Sequence, residues 1–153
     1  MADDDNVGGM IVLLPLMMLG MQAATVPAAP PLPSALPPQS MPRQGCAAFL
    51  WSVSDRKLIA VATAEAATLR IAFDGKAVDY ARTGQSGTGG FGFAATTRYG
   101  AQDMAFTLDM AISTETELTD GGLVQQGMLT VQRSGADAVL IPIAGVVGCA
   151  AAR

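Results

Sequence analysis

The chain contains no histidine. That removes the side chain that most often serves as general base near neutral pH, and the commonest metal ligand. Cysteine is nearly absent too, with only Cys46 and Cys149. Two thiols without imidazole do not complete a tetrahedral set, so neither a metal nor another cofactor is expected. Charge is sparse, at 14% of residues against 50% apolar, and the nine basic residues are scattered through a chain of net charge −4. A nucleic-acid partner requires a basic stripe, and none is visible. The apolar content also excludes disorder throughout.

What is present falls into three segments. The chain has 153 residues, enough for one domain. Residues 1–24 hold the apolar run VGGMIVLLPLMMLGMQAA (Val7–Ala24), which carries no charge. Such a run is read as a secretory signal or an N-terminal membrane anchor. Pro15 and Gly20 weaken it as a spanning helix. Gln22-Ala23-Ala24 or Val26-Pro27-Ala28 supplies small residues for cleavage. Against a signal, MADDDN places Asp3, Asp4 and Asp5 where a positive n-region belongs; a start at Met10 removes them. Export to the periplasm or beyond is the expectation, with a membrane tether through residues 7–24 as the alternative. Residues 25–44 accumulate proline and are read as an extended, semi-rigid linker. Residues 45–153 form the folded domain.

Cys46 and Cys149 open and nearly close that domain. An exported compartment favours disulfides, and two thiols allow one intramolecular pairing. Closing a loop of about 100 residues is worth roughly 4.7 kcal/mol in the chain-entropy picture.

Period-two alternation dominates after Cys46. In AFTLDMAIS, Phe106, Leu108, Met110 and Ile112 share one face. In TLRIAF, Leu69, Ile71 and Phe73 do. AAFLWSV sets Phe49, Trp51 and Val53 together, and MLTVQR sets Leu129 with Val131. VLIPIAGVV is apolar on both faces, as in a covered strand. Asp74-Gly75 is a strong type I′ hairpin signal. The turns delimit eight strands at roughly 47–53, 57–63, 67–73, 76–83, 91–98, 104–114, 123–133 and 138–148. The fold expected is all-β: an antiparallel eight-stranded meander, closed as a barrel or stacked as a two-sheet sandwich, with one terminal disulfide. An even strand count brings Cys46 and Cys149 to the same level, and closure removes exposed edges.

GTGGFG (residues 87–92) matches the dinucleotide fingerprint by letter, but that fingerprint needs a strand before and a helix after. FGFAATTRY follows instead, with strand spacing. The segment reads as a hairpin loop, Gly84–Gly90, poor in side chains and placed to touch a partner. Gln85, Ser86, Thr88 and Phe91 are its candidate binding residues. Gly84-Gln85-Ser86-Gly87-Thr88 approaches a nucleophile elbow, but Thr88 replaces the second glycine and no histidine exists to activate Ser86. A Ser–Lys pair would need Lys57 or Lys76. Within the folded domain, Glu115 and Glu117 with Asp120 form the densest acidic cluster; alternating carboxylates suit calcium or an acid/base pair, but no calcium-loop pattern accompanies them and they read as a solvated strand end with a polar turn. Arg70, Arg82 and Arg98 would meet an anionic ligand only if they point inward. Trp51 and the phenylalanines read as core.

This layout resembles small exported eight-stranded barrels with a terminal disulfide, a group that includes periplasmic lysozyme inhibitors. Ser86-Gly87 ahead of an aromatic resembles the loop of those inhibitors, and no residue role is carried over from them. The expected function is a non-enzymatic cell-envelope domain that binds a small apolar ligand or a protein. An inhibitor or assembly partner acting through residues 84–90 is the second reading, and a carboxylate-based hydrolase the third.

Overall fold

A computed structural model describes residues 22–26 and 29–151. The apolar run read as signal or anchor lies outside the described residues for all but its last few positions. Among the described residues no helix is long and apolar enough to cross a membrane.

The domain is all-β. Its strands are β1 (Cys46–Ser52), β2 (Leu58–Thr63), β3 (Thr68–Phe73), β4 (Lys76–Ser86), β5 (Thr96–Ala101), β6 (Met104–Ser113), β7 (Gly121–Arg133) and β8 (Val139–Cys149). They form a closed barrel in sequence order. Every pairing is antiparallel, and the ring closes where Cys46–Ser52 pair with Ile143–Cys149. Closure rather than stacking settles the architecture that alternation alone leaves open. Cys46 and Cys149 face each other across β1 and β8 and form the disulfide, with Cα atoms 3.9 Å apart.

The alternation in the sequence is the alternation of the barrel wall. Ala48, Leu50, Leu69, Ile71, Phe106, Leu108, Leu129, Val131, Ile143 and Val147 belong to one buried inner cluster. The Phe106 ring lies 6.3 Å from that of Phe73 and 4.5 Å from that of Tyr80, spacings typical of favourable aromatic pairs. Alanine on β1 and β2 (Ala48, Ala60, Ala62) leaves room for the bulky side chains of β6, three and four strands away around the ring. Asp74 and Gly75 both take positive φ, 51° and 78°, the geometry that a two-residue type I′ turn requires and that Gly supplies without strain.

The largest departure from the expected strand boundaries lies between β4 and β5. β4 continues to Ser86, and β5 begins only at Thr96. Phe91 and Phe93 alternate as a strand would, yet Phe91 and Gly92 take φ of 57° and 84° and turn the chain back. Phe93 N–H donates to the Gly90 carbonyl at 3.0 Å. Burial of two aromatic rings at the barrel end outweighs continuation of the ladder: Phe93 joins the inner cluster and Phe91 packs against it. The φ of Phe91 is unusual for a bulky residue, and the turn holds it there.

Candidate functional site

The meander places the first and last strand residues, Cys46 and Cys149, the β2–β3 turn, the β4–β5 loop and the β6–β7 loop at one end of the barrel. Phe91 and Phe93 close this end together with the disulfide. A Cβ at Gly122 would lie 2.7 Å from the Phe91 ring and 2.9 Å from the Ser113 carbonyl oxygen. Only glycine admits the ring there. Gln85, Ser86 and Thr88 are exposed at this end, whereas Phe91 is half-buried. Gln85 and Ser86 belong to β4 rather than to the loop, which begins at Gly87. The structure thus separates the four candidate binding residues into three on the surface and one turned into the core.

No nucleophilic constellation forms around Ser86. Lys76 starts the 11-residue strand that Ser86 ends, which puts them roughly 30 Å apart at strand rise. Lys57 precedes β2 at the far end of the barrel. Glu115, Glu117 and Asp120 are exposed around the β6–β7 loop. Among the described residues no group of three acids or cysteines is placed to hold a metal ion. Arg70 points outward. Its Nε and Nη2 donate to the two Asp79 carboxylate oxygens at 2.7 and 2.8 Å. The Arg70 hydrogen bond holds the Asp79 carboxyl below the usual aspartate range, against the opposing effect of partial burial, and the guanidinium pKa rises in return. At the opposite rim, burial and then the Asp103 charge push the Tyr80 phenol up, while Arg133 pulls it down. Burial raises the Tyr99 phenol more simply, opposed by a hydrogen bond with Thr97 and the Arg82 charge.

The second notable surface is on the outer wall, and sequence reasoning did not anticipate it. Part of the proline-rich segment lies against the barrel. Ser34 N–H donates to the Ala72 carbonyl at 2.8 Å, and Leu36 N–H to the Leu58 carbonyl at 2.7 Å. Gly75 N–H donates to Ser34 Oγ at 3.0 Å, and Arg70 Nη1 to Gln39 Oε1 at 3.1 Å. Met41 packs over Gly148. The reason for docking at this place is a split in the sheet. The β2–β3 ladder ends at Ala60–Ile71, so the carbonyls of Leu58 and Ala72, beyond it, have no partner across the split. Ser34 and Leu36 supply the missing donors. Pro33 and Pro37 flank them without N–H groups, which holds the contact to a single bridge, Ser34–Ala72.

Leu36 is the anchor. It is buried with Ala47, Phe49, Val61 and Ala72 in a second cluster, on the outside of β1–β3, with Trp51 and Leu58 at its margin. The face shared by Phe49, Trp51 and Val53 is therefore the outer one, and Ala48, Leu50 and Ser52 point inward. The available signal was β1 itself, which like β2 and β8 is apolar on both faces.

Beside the strap, the outer wall of β7, β8 and β1 carries no charge. Phe49 opposes Val146 and Trp51 opposes Ala144 across β1 and β8, while Leu123 opposes Val146 and Met128 opposes Pro142 across β7 and β8. Leu140 is 61% exposed, Val53 55% and Val146 41%. The outer face of β8 is thus open among the described residues, contrary to the covered strand expected from its apolar run. Charged side chains (Arg70, Asp79, Arg98, Asp109) sit instead on β3 to β6.

The structure defines a disulfide-closed, eight-stranded antiparallel barrel with a core of packed side chains. No family model, no curated protein and no solved structure matches the chain.

Proposed function

We propose that this is an exported, non-enzymatic cell-envelope domain that binds a protein partner on the outer surface of its barrel. The observation that carries this reading is the uncharged wall of β7, β8 and β1 with Val53, Leu140 and Val146 exposed. Contiguous exposed apolar surface marks interaction sites in soluble domains. Two further features support it. The inner side chains merge into one packed cluster, which favours a partner outside the barrel over a small apolar ligand inside it. The Cys46–Cys149 disulfide suits an oxidising compartment, and with the apolar run at Val7–Ala24 it supports export or membrane tethering.

The test is retention from envelope extract on the immobilised full chain, compared with Leu140→Asp and Val146→Asp. A protein retained stoichiometrically by the parent and lost from both variants is expected. A co-purifying lipid with no protein partner would return the ligand-carrying reading. Hydrolysis abolished by Ser86→Ala or Glu115→Gln would overturn the proposal. The inhibitor-like reading is favoured by the exposure of Gln85, Ser86 and Thr88 at the disulfide end. It predicts the reverse pattern: partner loss on Gln85→Ala and Thr88→Ala, and retention on Leu140→Asp.

A further inference from the structure

We infer that the docked strap, residues 34–41, sets the orientation of the barrel at a membrane: it carries the tether to the rim opposite the disulfide, so that the disulfide end faces away from the bilayer. This orientation rests on the membrane-tethered form of the reading above, with Val7–Ala24 as the anchor. Covalent connection alone predicts the opposite. The chain enters the barrel at Cys46, at the disulfide end, and an undocked leader would hang the barrel from that end. The strap instead runs the height of the wall. Met41 lies over Gly148, beside the disulfide. Leu36 N–H reaches the Leu58 carbonyl at the start of β2, and Ser34 bonds with Ala72 and Gly75 at the β3–β4 turn. With Leu36 buried and both ends of the strap held, the chain upstream leaves the barrel from the opposite rim, where Leu32 is 69% exposed.

Lengths decide which end faces the bilayer. Ala24 and Ser34 are separated by a stretch holding Pro27, Pro30, Pro31 and Pro33, which spans roughly 31 Å in a polyproline conformation and no more than about 35 Å fully extended. Strand rise and tilt make the barrel roughly 25 Å tall. With the disulfide end outward, this leash is slack. An inverted barrel would lift Ser34 by the whole height of the wall and draw the leash nearly straight, which costs chain entropy. Charge acts in the same direction. Among the described residues, the exposed disulfide end sets Glu65, Glu115, Glu117 and Asp120 against Arg43, and an anionic bilayer repels that excess at close range. On the tether-side rim Arg56, Lys57, Lys76 and Arg133 balance Asp55, Asp74, Asp103 and Asp137. The outward end therefore presents Gln85, Ser86 and Thr88, while the uncharged wall of β7, β8 and β1 stands along the bilayer normal.

The experiment places the full chain in vesicles of phosphatidylcholine and phosphatidylglycerol that carry a dansyl-headgroup lipid, and reads energy transfer from one tryptophan. In a Trp51→Phe background, which removes the sole native tryptophan, the reporter is Ser134→Trp on the tether-side rim or Ser86→Trp at the disulfide end, both exposed positions. With the reporters separated by roughly 25 Å along the barrel, transfer from Ser134→Trp should be at least about three-fold that from Ser86→Trp. Adding Leu36→Asp releases the strap and should bring the ratio to one or below. If Leu36→Asp does not fold, Ser34→Pro, which removes the N–H and Oγ that hold the upstream end, should lower the ratio in its place. An equal or inverted ratio with the strap intact would overturn the orientation. A ratio unchanged in a folded strap variant would overturn the strap as its cause. In the native envelope, intact mass of the membrane fraction should show a chain that retains Val7–Ala24. A mature chain that begins after Ala24 would overturn the tether and the orientation together. Partner capture by the outer wall stands or falls separately, on the Leu140→Asp and Val146→Asp retention test.

Discussion

Replacing both cysteines by serine is the perturbation whose size follows most directly from the structure. The two residues are 103 apart in sequence, and the bond restricts the unfolded chain over that whole length. In the chain-entropy picture this loop is worth about 4.7 kcal/mol. The folded state loses little, because β1 and β8 are also held by backbone pairing from Cys46–Cys149 to Ser52–Ile143. A domain of this size has a total stability of roughly 5–15 kcal/mol, so the loss removes between about three-tenths and nearly all of it. With a urea m-value of about 2 kcal/mol/M, the midpoint should fall by roughly 2 M. The assay is urea unfolding of the oxidised parent and of Cys46→Ser/Cys149→Ser, followed by far-UV circular dichroism and Trp51 emission together. Spectra of the two folded proteins should superimpose wherever the variant remains folded. A midpoint shift below about 0.5 M would refute the reasoning, because the bond would then restrict a chain already held compact by other means.

Other perturbations test the remaining parts of the architecture. Phe106→Ala, at the aromatic contact with Phe73 and Tyr80, should cost about 3–5 kcal/mol by urea titration. Gly122→Ala forces a methyl group against the Phe91 ring and the Ser113 carbonyl and should cost about 1–3 kcal/mol; Phe91→Ala should rescue part of that loss in the double variant. Asp79→Asn removes an exposed bidentate pair and should cost no more than about 1 kcal/mol after screening. The folded pKa of Asp79 is lowered, so its contribution is present above the unfolded aspartate value of about 3.9 and is lost as pH falls through the folded one. Carboxyl NMR titration in the parent should place Asp79 below the free-aspartate value. For Tyr99 the shift is upward. Stability present below about pH 10 should decline as pH rises toward the folded pKa, and the decline should lessen in Tyr99→Phe.

Alternation made the inner wall readable in advance. Phe106, Leu108 and Met110, or Leu69 and Ile71, leave a strand only one way to face a core. The hairpin at Asp74-Gly75 was legible because both φ values are positive and the residues suit them. The meander's parity predicted that the two sulfurs would meet, and they do. Where the sequence misled, two periods were compatible with the same letters. Phe91 and Phe93 alternate whether the chain runs on as a strand or folds back to plug the barrel, and the choice depends on a vacancy at Gly122 far along the chain. The strap was illegible for a different reason. Proline in residues 25–44 signals extension but says nothing about what the extended chain lies against. The deciding feature, two carbonyls at Leu58 and Ala72 left outside the β2–β3 ladder, is created by where a ladder in another part of the sequence stops. As for the open outer wall, the uncharged β8 run reads as core by composition, and only closure of the ring reveals that one of its faces is outside.

Closure is also what the whole account depends on, and it has a direct measurement. In an antiparallel pair, residues opposed without mutual hydrogen bonds bring their backbones closest. Ala150 N–H donates to the Gly45 carbonyl and Val53 N–H to the Pro142 carbonyl, which makes Ala48–Val147 and Leu50–Gly145 such pairs. NMR of the folded protein should show strong Hα–Hα contacts for both, in the oxidised parent and in the cysteine-free variant alike. Their absence, with β1 and β8 each flanked by one strand only, would mean an open or stacked sheet. The continuous outer wall from β7 to β3 would then not exist.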